Sequence, residues 1–161
     1  MNRKIYIDMD GVLADFFSEW EYLIGKNWRQ ITNTKDALTN IKKDKTFWLR
    51  LGLLENGKKI IAFFQNKKLK YNILSTHLTG DGKCINQKKV WINMHLNFYP
   101  PQQILFSENK EEYALNENGL GNILIDDFGK NIFHWKKNGG IGIKHKDHKF
   151  YRTQEKLNQF I

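Results

Sequence analysis

The chain has 161 residues, 40% of them hydrophobic, and a formal net charge of +9. That length suits one domain with a full core, while no apolar run approaches the roughly 20 residues of a membrane span and no apolar stretch follows the basic start as a secretion signal requires. A single cysteine, Cys84, excludes an internal disulfide framework and fits a cytoplasmic setting, or the host cytoplasm for a phage-encoded chain. The positive charge suits an anionic partner, nucleotide or nucleic acid, and equally a solvated Lys-rich surface.

In chain order, residues 4–7 read as a buried strand that delivers Asp8 and Asp10 into a turn at Gly11. Extended residues two apart point to one side, so both carboxylates face one site and Met9 faces away. Two clustered carboxylates repel each other and call for a cation, which suggests magnesium chemistry. A calcium loop would need an oxygen ligand at its fifth position and glycine at its sixth, where Val12 and Leu13 stand.

A helical pattern covers 13–24. From about 16 to 54 there is no convincing strand, and Phe47-Trp48-Leu49 is too apolar for plain loop; Thr34 followed by Asp36 suits a helix start. Further strands are expected at 71–74, 103–106, 122–125 and 140–143, alternating with helices at 58–66, 87–97, 111–116 and 131–137, and a last helix at 153–160. The expected architecture is α/β: a Rossmann-like parallel sheet with helices on both faces and a small helical cap inserted after the first strand. The whole of 1–161 is then one domain, with a core of 1–15 and 55–161 and a cap of about 16–54.

Ligands of open α/β sheets bind beyond the carboxyl ends of the strands. Asp8 and Asp10 end the first strand, Ser75-Thr76-His77 the second, Asp126-Asp127 the fourth, and Lys110 follows the third. Phe16, Trp20, Trp28, Phe47 and Trp48 either line a base-stacking pocket or pack the cap; Phe16 and Trp48 are the substrate-contact candidates, with Thr76 and His77. His145-Lys146-Asp147-His148 is expected to be a solvated terminus, Cys84 inert, and Trp91, Met94 and Phe98 a core-facing stripe.

Asp-Met-Asp-Gly-Val-Leu-Ala-Asp-Phe (8–16), Ser75, Lys110 and Ile-Asp-Asp (125–127), in that order, resemble the four motifs of the haloacid dehalogenase superfamily. Within it the chain looks most like the 5'(3')-deoxyribonucleotidases, through the full opening motif, Phe-Trp-Leu-Arg-Leu (47–51) ahead of Glu55-Asn56-Gly57, and Lys-Lys-Val-Trp (88–91). It departs from them in having Ser75-Thr76-His77 for Thr-Ser-Pro, and Thr79 where a basic residue is expected, with Lys83 further on. The resemblance implies a phosphatase with Asp8 as nucleophile and Asp10 as general acid and base. It implies Mg²⁺ held by Asp8, the Asp10 carbonyl and Asp127, with Asp126 in support, though which of Asp126 and Asp127 touches the metal stays open. Ser75 and Lys110 would hold the phosphate oxygens, with backbone amides around Met9–Gly11 and Thr76. The implied substrate is a nucleoside monophosphate, and the implied assembly is a homodimer. Two alternatives stand beside this: a phosphatase of polynucleotide 3' or 5' ends, and a basic nucleic-acid-binding protein on an inactive phosphatase fold.

Overall fold

A computed structural model describes residues 3–161. Five strands, β1 (Ile5–Ile7), β2 (Asn72–Ser75), β3 (Ile104–Phe106), β4 (Ile123–Asp126) and β5 (Ile141–Lys144), form one parallel sheet in the order β3-β2-β1-β4-β5. Register follows the apolar runs: Ile7 lies beside Ile73 on one side and Ile125 on the other. The pleat divides the side chains between two cores. Ile5, Ile7, Ile73, Ile123, Ile125 and Ile143 join the larger one, and Tyr6, Leu74 and Leu124 pack on the other face.

The larger core is covered by α3 (Glu55–Asn66), α4 (Cys84–His95) and α6 (Phe150–Asn158), the smaller by α5 (Gly129–Lys137) and a 3₁₀ turn at Lys110–Tyr113. Strands feeding alternate helices, buried on both faces, produce this parallel arrangement. The α/β architecture with helices on both faces is therefore as expected.

The insert after β1 carries α1 (Phe16–Ile24), α2 (Thr34–Lys43) and two 3₁₀ turns, Trp28–Gln30 and Phe47–Leu49. Its entry and exit run side by side. The Asp15 amide donates to the Gly52 carbonyl and the Leu54 amide to the Leu13 carbonyl, both at 2.8 Å. Asp15 caps α1 through the Ser18 amide, and the Trp20 indole donates to the Ala37 carbonyl, tying α1 to α2. Much of the insert's attachment is made by α4 and the loop before it. Trp91 donates to the Leu51 carbonyl at 2.7 Å, Gln87 to the Lys45 carbonyl at 2.6 Å, and Trp48 to Asp81 at 2.8 Å.

Several boundaries differ from the sequence reading. α1 starts at Phe16 rather than 13, because the Leu13 and Ala14 amides fold back onto the Met9 carbonyl. The 111–116 helix is only a 3₁₀ turn. Met94 is 63% exposed and Phe98 39%, so they are not core. The buried side of α4 is instead set by Cys84, Lys88, Trp91 and Ile92. His145 is buried rather than solvated: its Nδ1 lies 2.9 Å from Thr153 Oγ1, joining the end of β5 to α6, and burial holds its pKa below the usual histidine value.

Gly57 on α3 packs directly on the turn after β1. A Cβ there would lie 2.7 Å from the Val12 carbonyl oxygen and 2.8 Å from Leu13 Cα, both backbone atoms. Gly57→Ala is expected to destabilise the fold by about 1–3 kcal/mol through overpacking, read as a lower denaturant midpoint. An unchanged midpoint would contradict this packing.

Candidate active site

The chain switches direction across the sheet between β1 and β4, and a crevice opens beyond the carboxyl ends of such a pair. The Asp8 amide donates to the Ile125 carbonyl at 2.9 Å, which fixes the end of β1 against β4. Gly11 has φ +76, and any Cβ on it would collide with Asp127 Oδ2. Glycine thus serves both the left-handed turn and the close approach of that carboxylate. The Gly11 amide is not free for a ligand, because it donates to the Ala14 carbonyl at 2.9 Å.

Carboxylate oxygens of Asp8, Asp126 and Asp127 lie within 4.8 Å of one another. Lys110, 2% exposed, stands between two of them, with Nζ 2.8 Å from Asp8 Oδ1 and 2.8 Å from Asp126 Oδ2. Burial by itself would lower the Lys110 pKa, but Asp8 and Asp126 outweigh it and hold the ammonium above the usual lysine value. Asp126 is fully engaged: Oδ2 also accepts from Asn131 Nδ2 at 2.9 Å, and Oδ1 accepts from the Phe128 amide at 2.8 Å. Among the described residues Asp127 has no such side-chain donor. Burial, then Asp8, Asp126 and Asp10, push its pKa up to about 8.

Sequence reasoning assigned no role to Lys88. This wholly buried lysine of α4 reaches across to the other catalytic candidate. Its Nζ lies 2.6 Å from Asp10 Oδ2, 3.1 Å from Ser75 Oγ and 2.8 Å from the Thr76 carbonyl oxygen, and 4.6 Å from the centre of the Trp48 ring. The available signal was its place in the Lys-Lys-Val-Trp segment, four residues after Cys84 and three before Trp91 on one helix face. Burial raises the Asp10 pKa, Lys88 opposes the shift, and Asp8 adds to it. Among the described residues Asp10 Oδ1 is enclosed without a hydrogen-bond partner. A carboxyl of raised pKa beside a second carboxylate is equipped to carry a proton.

Four carboxyl groups (Asp8, Asp10, Asp126, Asp127) thus face two lysines (Lys88, Lys110), fewer cations than would offset them if all four were ionised. That excess of acids over cations, together with the raised pKa of Asp127, fits a divalent cation with oxygen ligands.

The remaining candidates are distributed around this centre. Ser75 is fully buried, its hydroxyl against Lys88. Thr76 is exposed, with Oγ1 donating to the Ser107 carbonyl at 3.3 Å. His77 is half-buried, and its enclosed Nδ1 has no partner among the described residues. Trp48 is 2% exposed and lies in the aromatic core of the insert, with Phe16 stacked on it at 5.8 Å and 23° and Phe47 edge-on at 5.0 Å. Phe16 is half-buried. Lys83 is committed elsewhere, to Asp81 at 2.7 Å and to the Ile41 and Lys42 carbonyls of α2. A groove of about 560 Å³ runs along the carboxyl edge beside this centre, lined by Thr76, Glu108, Phe128, Lys130, Asn131 and His134 among others.

No protein-family model and no curated protein matches the chain. Solved structures do match its fold. A Had-superfamily hydrolase from Ehrlichia chaffeensis aligns with TM-score 0.59 and 13% identity over 99% of this chain and 98% of its own. A hydrolase from Streptococcus pneumoniae aligns with TM-score 0.57 and 14% identity over 98% and 100%. A HAD-family enzyme from Bacteroides thetaiotaomicron, solved in complex with magnesium and inorganic phosphate, aligns with TM-score 0.54 and 11% identity over 92% and 96%. The chain has the Rossmann-like α/β fold of the haloacid dehalogenase superfamily hydrolases.

A cation entering the cluster must displace the proton that Asp127 holds below a pH of about 8. Mg²⁺ affinity, measured by calorimetry, is therefore expected to climb as pH rises toward about 8 and level off above it. The same group works against the metal-free fold. It binds its proton more tightly folded than unfolded, so its contribution to stability declines as pH rises from the ordinary carboxylate range toward about 8. Mg²⁺ affinity independent of pH across that interval would contradict the assignment of Asp127 to the cation.

Proposed function

We propose that the protein is a Mg²⁺-dependent phosphatase that hydrolyses deoxyribo- or ribonucleoside monophosphates through an aspartyl-phosphate on Asp8. The observation that carries this reading is the division of the two motif carboxylates between two buried lysines. Asp8 is held by Lys110 at 2.8 Å and Asp10 by Lys88 at 2.6 Å. A nucleophile needs a fixed orientation, which the contact with Lys110 gives Asp8, and a proton carrier needs a raised pKa, which burial gives Asp10.

In the first step an Asp8 oxygen attacks phosphorus in line with the leaving sugar oxygen. The phosphorus–oxygen ester bond breaks, and Asp10 donates its proton to the leaving alkoxide. In the second step Asp10, now a base, takes a proton from water as the water oxygen attacks the aspartyl-phosphate, releasing phosphate and restoring Asp8. Lys110 stabilises charge on the phosphate oxygens, and Ser75 and Lys88 define the wall opposite it. Mg²⁺ held by Asp8, Asp127 and the Asp10 carbonyl, with Asp126 oriented behind, would supply the positive charge that lets an anionic carboxylate meet an anionic phosphate.

The nucleotide part of the reading is supported by the opening motif, by the aromatic insert beside the site and by the net charge of +9. Phe16 is assigned to the base, with Trp48 backing it; Thr76 and His77 line the approach of the sugar-phosphate. The test is phosphate release from all deoxyribo- and ribonucleoside 5'- and 3'-monophosphates, with Mg²⁺ and with chelator. Release that requires Mg²⁺ and vanishes in Asp8→Asn is expected; substantial turnover by Asp8→Asn would sink the nucleophile assignment.

Lys88 gives a second prediction. Lys88→Met removes the cation that holds the Asp10 pKa down. The mutant is expected to lose about 10²-fold in kcat, with the limb of its pH–rate profile that reports Asp10 moved to higher pH. A wild-type pH profile in this variant would mean that Lys88 does not govern Asp10.

A further inference from the structure

Part of the positive charge is gathered in one place beside the carboxyl edge. A second groove, about 460 Å³, lies past the edge strand β5 and is lined by Lys144, Lys146, Lys149, Arg152, Glu155, Lys156 and Gln159. Five of these are cations and one is an acid. Among the described residues none of the five cations makes an ion pair. Arg152 and Lys156, four residues apart, lie along one side of α6, and Lys149 stands just before its start. Thr153 and Leu157 take the buried side. The row of charge is thus a consequence of how α6 docks, and it is fixed with respect to the sheet.

The groove adjoins the catalytic edge. Lys144 is the register partner of Asp126, and the next amide, His145, donates to the Asp126 carbonyl at 2.9 Å. The Lys144 ammonium sits over Gly129, so close that a Cβ there would be 3.2 Å away. Between Asp127 and Gly129 stands Phe128, 57% exposed, which also lines the groove beside the active centre. Tyr151, also 57% exposed, stands next to Arg152, whose guanidinium carbon is 5.8 Å from its ring centre. Neither ring lines the groove itself, but both stand beside its cations, and cations that track a backbone next to exposed rings are what a single-stranded nucleic acid requires.

We infer that this face binds single-stranded polynucleotide, its phosphodiester chain following Lys144, Lys149, Arg152 and Lys156 and its bases stacking on Phe128 and Tyr151. A mononucleotide whose phosphate reacts at Asp8 has no second phosphate to reach these cations, whereas a chain ending at Asp8 does. The inference rests on the phosphatase reading only for what happens to the terminal phosphate; binding along the groove is independent of it.

The test measures fluorescence anisotropy of a labelled ten-nucleotide oligothymidylate carrying a terminal phosphate, in chelator so that nothing is hydrolysed. Hydrolysis of p-nitrophenyl phosphate with Mg²⁺ is followed in parallel. The wild-type protein is expected to bind with an affinity that falls steeply with salt, by a log–log slope of about −0.7 for each phosphate contacted. The triple variant Lys149→Glu, Arg152→Glu, Lys156→Glu, and its milder counterpart with glutamine at all three positions, should lose at least about ten-fold in affinity and flatten that slope. Their p-nitrophenyl phosphate hydrolysis should stay at the wild-type rate. Tyr151→Ala should weaken binding without changing the slope. Unchanged oligonucleotide affinity in both triple variants would overturn the inference, as would displacement by poly-glutamate as effective as by unlabelled oligonucleotide. Absence of p-nitrophenyl phosphate hydrolysis in the wild type, with groove variants still losing oligonucleotide, would instead remove the phosphatase reading and leave the groove standing.

Discussion

The structure turns on the confinement of four carboxylates to one sheet edge with only two ammonium groups to offset them. Asp8 and Asp126 share Lys110, and Asp10 has Lys88. Burying ions costs several kcal/mol each, and such pairs commonly return no net stability. The cluster is therefore not there to hold the fold together. It stays ordered because stronger apolar and backbone constraints surround it: Ile7 and Ile125 are fully buried, and Met9 anchors the far side of the turn. The pKa of Asp127, raised to about 8, records the imbalance in chemical terms. The site holds two more carboxyl groups than lysines, a deficit that a divalent cation would offset.

That imbalance explains why α4 matters beyond packing. Its Lys88 crosses beneath the insert to reach Asp10, and on the way its ammonium lies against Trp48. Trp48 in turn donates to Asp81, and Asp81 pairs with Lys83, which bonds to the Ile41 and Lys42 carbonyls of α2. One connected set of contacts thus joins the proton-carrying candidate to the aromatic floor of the insert and to its helices. A change in the insert's packing has a direct physical route to the Asp10 environment through Lys88 and Trp48.

How much of this was legible in the sequence depends on how local each signal is. Asp8, Asp10, Asp126 and Asp127 stand at the ends of apolar strand runs, so strand alternation and the rule for parallel sheets were enough to bring them together. Lys110 was legible from order alone, because a cation was needed between the third and fourth strands. Lys88 was not, since its role depends on the angle at which α4 crosses the sheet, a tertiary quantity that helical spacing does not encode. The same holds for Met94, exposed because the buried side of α4 is set by Cys84, Lys88 and Trp91, and for Phe98, which lies past the end of that helix. It holds also for His145, whose burial follows from the pairing of its imidazole with Thr153 across eight residues. The aromatic residues of the insert were legible as a group, but their mutual stacking, with Phe16 on Trp48 at 23°, could not be read from spacing.

The charge of +9 takes on a different meaning once it is placed. The acids the site needs are gathered at the β1–β4 switch point, and the cations of β5 and α6 stand one strand further along the same edge. With a Debye length of about 8 Å at physiological salt, those cations act on groups that come within a strand or two of them and not across the whole molecule. A polynucleotide lying in the groove would meet that attraction along its length, which a uniformly basic surface of the same total charge would supply less well. Position, rather than net charge, is what connects this Lys-rich composition to the chemistry of the edge.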